Sequence, residues 1–476
     1  MSYTSEQISF IERATERISE NPISRLGAIT KSTLERNNFV IDAHCHIFDS
    51  DCINVSYLAT RMISGAPEAL KSWVWRLITG EKMGYEKNIL SHLELLENLY
   101  KNPDLIPDEN VDKFIERIET ELNSMEVELK TYDNKSTSVF PKRELIIRYR
   151  NIIRLLSTKR MSDVYVTFRD RYAINNVINN AYDTDKELVT IVLGMDLNSG
   201  WKGSINKSNS QQNDELGKLP QAYPVIPFLP IDPRRADDEG EGNLYNLFLK
   251  AFDVDFPSFF GVKCYPSLGY LPSDSRLKPI FEICEKKRIP VLTHCGGESV
   301  STFQNPIIVN RNGIEESISL RPRAARARYL NEPREWLEVL RTHKDLKLCL
   351  GHFGSGGAWE DPEDVRAHRI PTIFKMMEEF NVYADFSFNL ESQKATDNFI
   401  NKLTQKNWEG ELMRDRTLFG TDFWVILPMS NLNLDQANFI KKIGGLRDNL
   451  TNTNILKYLG IDNILNHSKQ IENAST

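Results

Sequence analysis

The run Asp42-Ala43-His44-Cys45-His46 sets two imidazoles two residues apart, beside a carboxylate. Neutral imidazole nitrogens and carboxylate oxygens are the donors that hold zinc and similar divalent ions, and an ion so held acidifies water and polarises carbonyl groups. Residues two apart on a strand project from one face, so the spacing predicts that Asp42, His44 and His46 point together. Three further ionisable residues each end an apolar run: His294 after Pro290-Val291-Leu292-Thr293, His352 after Leu348-Cys349-Leu350-Gly351, and Asp422 after Leu418-Phe419-Gly420-Thr421. The chain has eight histidines, and four of them stand at such places. The other four, His92, His343, His368 and His467, fall in helical or tail contexts and are expected to be solvated.

Positioning these groups together requires strands whose ends converge. Short apolar runs rich in β-branched and aromatic residues predict eight strands, at 38–48, 188–196, 223–231, 259–265, 289–295, 346–353, 382–388 and 417–423. Helical patterns separate the later ones: Leu277, Ile280, Phe281 and Cys284 share a face in 273–288, and Trp336, Leu337 and Leu340 in 333–342. Eight buried strands alternating with crossover helices predict an α/β fold, a (β/α)8 TIM barrel, whose active site is built at the C-terminal strand ends. The alternative that strand counting leaves open is an open doubly wound sheet.

The 476 residues exceed what a barrel needs. The surplus is expected in a large helical insertion after the first strand, at 49–186, with amphipathic stretches at 88–100, 111–130 and 144–156. Leaving from a strand that bears candidate ligands, it reads equally as a lid or oligomer contact and as a purely structural bundle. Residues 1–37 read as an N-terminal helical arm, with a helix over 6–18 and then linker. Residues 38–467 make the barrel, and 468–476 a flexible tail. The Asn-, Ser-, Gln- and Gly-rich segment 198–221 reads as a mobile loop.

Composition narrows the partners. Lys plus Arg number 59 against 66 Asp plus Glu, a net charge of −7, which gives no general attraction for nucleic acid. No stretch approaches the roughly 20 apolar residues of a membrane span, and the N-terminus is charged where a signal peptide is apolar, so the expected setting is cytoplasmic. Six cysteines without a C-x-x-C pair predict reduced thiols. Strand alternation turns Cys45, Cys264 and Cys295 toward the surrounding helices as small apolar side chains.

The order of these motifs resembles the amidohydrolase superfamily, in particular its amidohydrolase-2 branch of metal-dependent TIM-barrel hydrolases and decarboxylases. The resemblance rests on D-A-H-C-H at 42–46, G-V-K-C-Y-P at 261–266, T-H-C-G at 293–296, G-H-F-G at 351–354 and G-T-D-F at 420–423. It covers about 38–425 and leaves the insertion aside. It implies that His44, His46, His294 and Asp422 ligate a divalent ion, with zinc favoured over manganese or iron and one ion over two. His352 would hold or deprotonate the attacking water, or ligate a second metal, and Asp422 would double as proton acceptor. Lys263 is either a carboxylated bridge between two metals, a free ammonium that binds a substrate carboxylate, or a lysine paired with a nearby acid.

Arg321, Arg323 and Arg326, beyond the fifth strand, are candidates to bind an anionic substrate, or form a solvated helix face. Asp232 is expected to cap a turn. The glycines of 351–357 lack the spacing of a dinucleotide or phosphate loop. The expected function is hydrolysis of an amide, lactone or ester of a small substrate. The alternatives are non-oxidative decarboxylation of an aromatic or unsaturated acid and a catalytically inactive scaffold.

Overall fold

In the computed structural model, which describes residues 3–52, 158, 160–172, 186–201, 205–296, 300–423 and 432–465, the predicted strands all pair in parallel. β1 (Phe39–His46), β2 (Glu187–Leu193), β3 (Val225–Ile231), β4 (Gly261–Cys264) and β5 (Val291–His294) lie side by side in chain order. The chain then forms a separate antiparallel hairpin, β6 (Ile307–Arg311) and β7 (Ile314–Ile318). β8 (Leu348–Gly351), β9 (Val382–Asp385) and β10 (Thr417–Leu418) complete the eight-stranded sheet. Ala43 N–H donates to Phe419 O at 2.9 Å and Asp422 N–H to His44 O at 2.6 Å, so the last strand meets the first and the sheet nearly closes into a barrel.

Two apolar layers explain why the strands are apolar on both faces. Ile41, Ala43, Val189, Ile191, Ile226, Phe228, Leu292 and Leu418 fill the interior. Ile455, Leu456, Tyr458 and Leu459, on the helix Asn454–Leu459, join that cluster and cap its lower end. Asn454 there donates to the Thr417 carbonyl, at the start of β10. The outer layer packs strands on helices such as Lys278–Lys286, which buries Ile280, Phe281, Ile283 and Cys284. Cys45, Cys264 and Cys295 belong to this outer layer, and all six cysteines are free and buried.

Several local expectations need correction. Strand alternation fails in β1, where the register against β2 shifts between Asp42 and Cys45. Ile41 and Ala43 lie in the inner cluster, Val40 and Cys45 in the outer one. The extra residue of this bulge puts His44 in phase with His46 and Asp42 out of phase with both. β8, β9 and β10 stop short of their predicted ends; β8 does so because the backbone turns left-handed at His352 and Phe353, and positive φ recurs beyond β9 at Phe388 and beyond β10 at Asp422. The expected mobile loop contains a helix, Asn209–Lys218, started by a reciprocal cap between Ser208 and Gln211. The linker after the first helix, Ser5–Arg17, holds a second, Ala28–Glu35. Within 333–342 a 3-10 turn, Pro333–Trp336, precedes a short α-helix, Leu337–Thr342.

Of the insertion only its first turn, Ser50–Cys52, and the helix Met161–Tyr172 are described. The stretches at 88–100, 111–130 and 144–156, the tail 468–476, His92 and His467 lie outside the described residues. Among the described residues, no helix is long and apolar enough to cross a membrane.

Candidate metal centre

The C-terminal ends of the strands gather the ionisable residues at the end of the barrel opposite the capping helix. His44 and His46 end β1, and Asp422 lies four residues beyond β10. The two Nε2 atoms are 3.4 Å apart, and Asp422 Oδ1 lies 3.9 Å from the first and 3.8 Å from the second. Ligand atoms around a tetrahedral zinc stand about 3.3 Å apart, given metal–ligand distances of about 2.0–2.1 Å. The triangle here is slightly wider. Asp422 Oδ1 is buried and has no hydrogen-bond partner among the described residues. A buried carboxylate oxygen without a donor is unfavourable unless a cation meets it. The donor set and the orphaned oxygen therefore fit a divalent ion, with zinc the natural match to imidazole and carboxylate.

Electrostatics point the same way. Burial, and then the charge of Lys263, hold His44 and His46 well below the usual imidazole range, so their nitrogens offer lone pairs. Burial pushes Asp422 well above the usual carboxylate range, against the pull of Lys263. A bound cation reverses that push. Lys263 Nζ stands 3.3 Å from His44 Nε2. Burial brings it down to about 8, while Asp385 and Asp422 draw it back up.

Asp42 braces the seam of the barrel from outside the triangle. It accepts from His44 N–H at 3.0 Å, Thr421 N–H at 3.1 Å and Thr421 Oγ1 at 2.6 Å. Burial pushes it up to about 7, with those hydrogen bonds opposing. Two glycines make room: a Cβ at Gly420 would lie 2.7 Å from His44 Cβ, and one at Gly296 2.4 Å from His352 Cδ2.

His294 ends β5, and His352 directly follows its neighbour β8. Their rings meet through His294 Nδ1 and His352 Nε2 at 3.0 Å, and Tyr265 stacks on His294 at 4.2 Å between centroids. His294 falls outside the groups of donor atoms lying within 4.8 Å of one another, which are His44, His46 and Asp422, and His44, His352 and Asp385.

Asp385 is the residue that sequence reasoning missed. It ends β9, is fully buried, and accepts from His44 Nδ1 at 2.8 Å. Its signal was present: Val382-Tyr383-Ala384-Asp385 is an apolar run ended by a carboxylate, like the run before Asp422. Arg369 was also missed. Fully buried, it binds Glu332 and donates to the Gly296 and Gly354 carbonyls at 3.1 and 3.3 Å, tying together the loops after β5 and β8.

The three candidate arginines do not converge. Arg321 is exposed, Arg323 lies 5.0 Å over the Phe303 ring, and Arg326 is buried, donating Nη1 to Leu320 O at 2.7 Å. The Nε of Arg326 is buried without a hydrogen-bond partner among the described residues, and burial followed by Arg323 and Arg321 lowers its pKa. Asp232 caps its turn as expected, accepting from Arg234 N–H at 3.0 Å. His343 departs from expectation: it is buried, with Nδ1 3.2 Å from Glu285, because the helix Leu337–Thr342 ends against that glutamate. His368 keeps a half-exposed side chain, 2.8 Å from Glu332.

Several solved structures are similar to this one, three of them as follows. The 4-oxalomesaconate hydratase of Rhodopseudomonas palustris shares 14% identity at a TM-score of 0.41, over 91% of this chain and 100% of its own. A zinc-bound amidohydrolase from Burkholderia multivorans shares 9% at 0.37, over 65% of this chain and 91% of its own. The uronate isomerase of Thermotoga maritima shares 10% at 0.38, over 92% and 99%. No curated protein matches the sequence. The profile of the amidohydrolase family matches residues 202–440, about half of the chain and all of the strands from β3 to β10. With that match and a nearly closed parallel barrel that gathers its histidines at one end, the chain belongs to the amidohydrolase family.

Proposed function

We propose that the protein is a metal-dependent hydrolase acting on an amide, lactone or ester carbonyl of a small anionic substrate. The observation behind this reading is the orphaned Asp422 Oδ1 beside the Nε2 atoms of His44 and His46. These three residues would hold a single zinc ion, with His294 as the further ligand that the family resemblance supplies. A bound divalent ion lowers the pKa of water from 15.7 to about 7 and polarises a carbonyl.

The chain's own residues do the rest. Asp422 and His352 accept protons, and the His352 imidazole is neutral because burial, and then His44, hold it well below the usual range. The anion preference is drawn from the Nε of Arg326, which is buried and has no hydrogen-bond partner among the described residues.

Turnover in 18O-labelled water tests the reaction: hydrolysis incorporates one labelled oxygen into the product acid. Release of carbon dioxide from an aromatic acid without incorporation would make the enzyme a decarboxylase instead. His352→Asn is expected to retain zinc and slow turnover by about 10² or more; an undiminished rate removes His352 from proton transfer. Arg326→Ala is expected to raise KM for anionic substrates about tenfold with kcat unchanged, the value of one charge-assisted hydrogen bond. An equal KM in the variant would place the anion elsewhere.

A further inference from the structure

We infer that Ser387 is a positioning residue that relays the Asp385 carboxylate to His352, and through it to His294, so that each imidazole exists in a single tautomer. Asp385 Oδ1 is within hydrogen-bond distance of three donors: Ser387 Oγ at 2.5 Å, His352 N–H at 3.1 Å and Ser387 N–H at 3.3 Å. Its Oδ2 accepts from His44 Nδ1 at 2.8 Å and from the Cys349 thiol at 3.6 Å. With Asp385 as the acceptor throughout, each of these neighbours is satisfied.

The assignment then propagates by elimination. A serine hydroxyl has one hydrogen, and the close contact with Asp385 takes it. Ser387 Oγ can therefore only accept from His352 Nδ1, 2.9 Å away, so His352 bears its hydrogen on Nδ1. His352 Nε2 is left as a lone pair. Facing it at 3.0 Å, His294 Nδ1 must donate, and His294 Nε2 becomes the lone-pair nitrogen of that ring, the form that metal ligation requires. His44, with Nδ1–H on Asp385, likewise presents Nε2 to His46 and Asp422. One carboxylate thus fixes three histidines, one directly and two through a hydroxyl.

Local backbone holds the relay in place. Ser387 is fully buried, and its N–H on Asp385 closes a two-residue turn at the end of β9. Asn389 donates its side-chain amide to the His352 carbonyl at 2.8 Å, locking the two loops together. His352, Phe353 and Phe388 all adopt left-handed backbone, at φ 65°, 42° and 61°. Such conformations are unfavourable for residues with a side chain and persist where the surroundings over-determine them. The relay bears on the hydrolase reading only through the form in which His294 and His44 present Nε2 to an ion. The tautomers themselves do not depend on that reading.

Nitrogen NMR of metal-free protein labelled with 15N-histidine, at about pH 8 where unperturbed imidazole is neutral, tests the relay. His294→Gln and His352→Gln spectra assign the two rings. The expected wild-type result is a pyrrole-type Nδ1 and a pyridine-type Nε2 for His44, His294 and His352. In Ser387→Ala, His352 and His294 are expected to lose their single tautomer while His44 keeps it, and Ser387→Thr is expected to restore them. Zinc affinity of Ser387→Ala should fall about tenfold, the scale of a lost partner to a ligand. A wild-type His352 with its hydrogen on Nε2 overturns the inference without any variant, and so do unchanged tautomers in Ser387→Ala. A protein with the expected tautomers but no zinc binding and no hydrolysis would refute the proposed function and leave the relay standing.

Discussion

His46→Ala is expected to abolish zinc binding and turnover together while the barrel stays folded. His46 supplies one corner of a triangle whose other corners are His44 Nε2, 3.4 Å away, and Asp422 Oδ1, 3.8 Å away. Its loss breaks the compact donor group of His44, His46 and Asp422, leaving two of those donors with only the more distant His294 to complete a set. Because the ion's contribution amounts to several kcal/mol of transition-state stabilisation, the loss in rate should be about 10³-fold or more. His46 is a cleaner target than His44, whose ring also meets Asp385 and Lys263. Its removal leaves the Ile41, Val189, Ile191 and Phe228 interior untouched. Elemental analysis for zinc beside circular dichroism decides the matter, and full zinc occupancy in a folded variant would remove His46 from the ligand set.

Asp385→Asn should have the second largest effect, though Asp385 touches no substrate. An amide has one acceptor and one donor end, and Asp385 faces donors on both sides. If the amide nitrogen meets His44 Nδ1–H, His44 must move its hydrogen to Nε2 and loses the lone pair that faces His46 and Asp422. If it meets the other side, it opposes the His352 and Ser387 N–H groups. Each buried donor left unpaired destabilises by about 1–3 kcal/mol, so thermal stability should fall in either orientation. Zinc affinity should drop about 10- to 100-fold, as for other partners of ligating histidines. Competition with a chelator measures the affinity, and an unchanged value would show that His44 orients itself without Asp385.

These residues show what the sequence disclosed and what it withheld. The strands were legible because apolar β-branched runs have few other uses, and the parallel order followed from the helices between them. His44, His46, His294, His352 and Asp422 stood out because an ionisable group that ends a fully apolar run is conspicuous. Asp385 ended such a run as well, but it has no histidine beside it in sequence, and its partner His44 lies 341 residues away. The misphasing of Asp42 came from a bulge, and one extra residue reverses every face that follows. The helix at Asn209–Lys218 was hidden by its polar composition, although Ser208 and Gln211 have the spacing of a reciprocal cap. The β6–β7 hairpin escaped because its outer strand, Ile-Glu-Glu-Ser-Ile, is largely exposed and polar.

The seam between the first strand and the last bears on how such a chain is made. Asp42 and Thr421 are joined by hydrogen bonds across 379 residues of sequence, and among the described residues it is the last strand that meets that edge of β1. A ribosome adding about 5–20 residues per second needs roughly 20–80 s between the two. During that interval β1 exposes an unpaired edge, the kind of surface that invites pairing with other chains. The order of synthesis also means that His44 and His46 emerge early and wait for Asp422, so the three-donor triangle is assembled only when nearly the whole polypeptide is out. On the proposed function, competence to take up an ion is a property that the nascent chain acquires late in its synthesis.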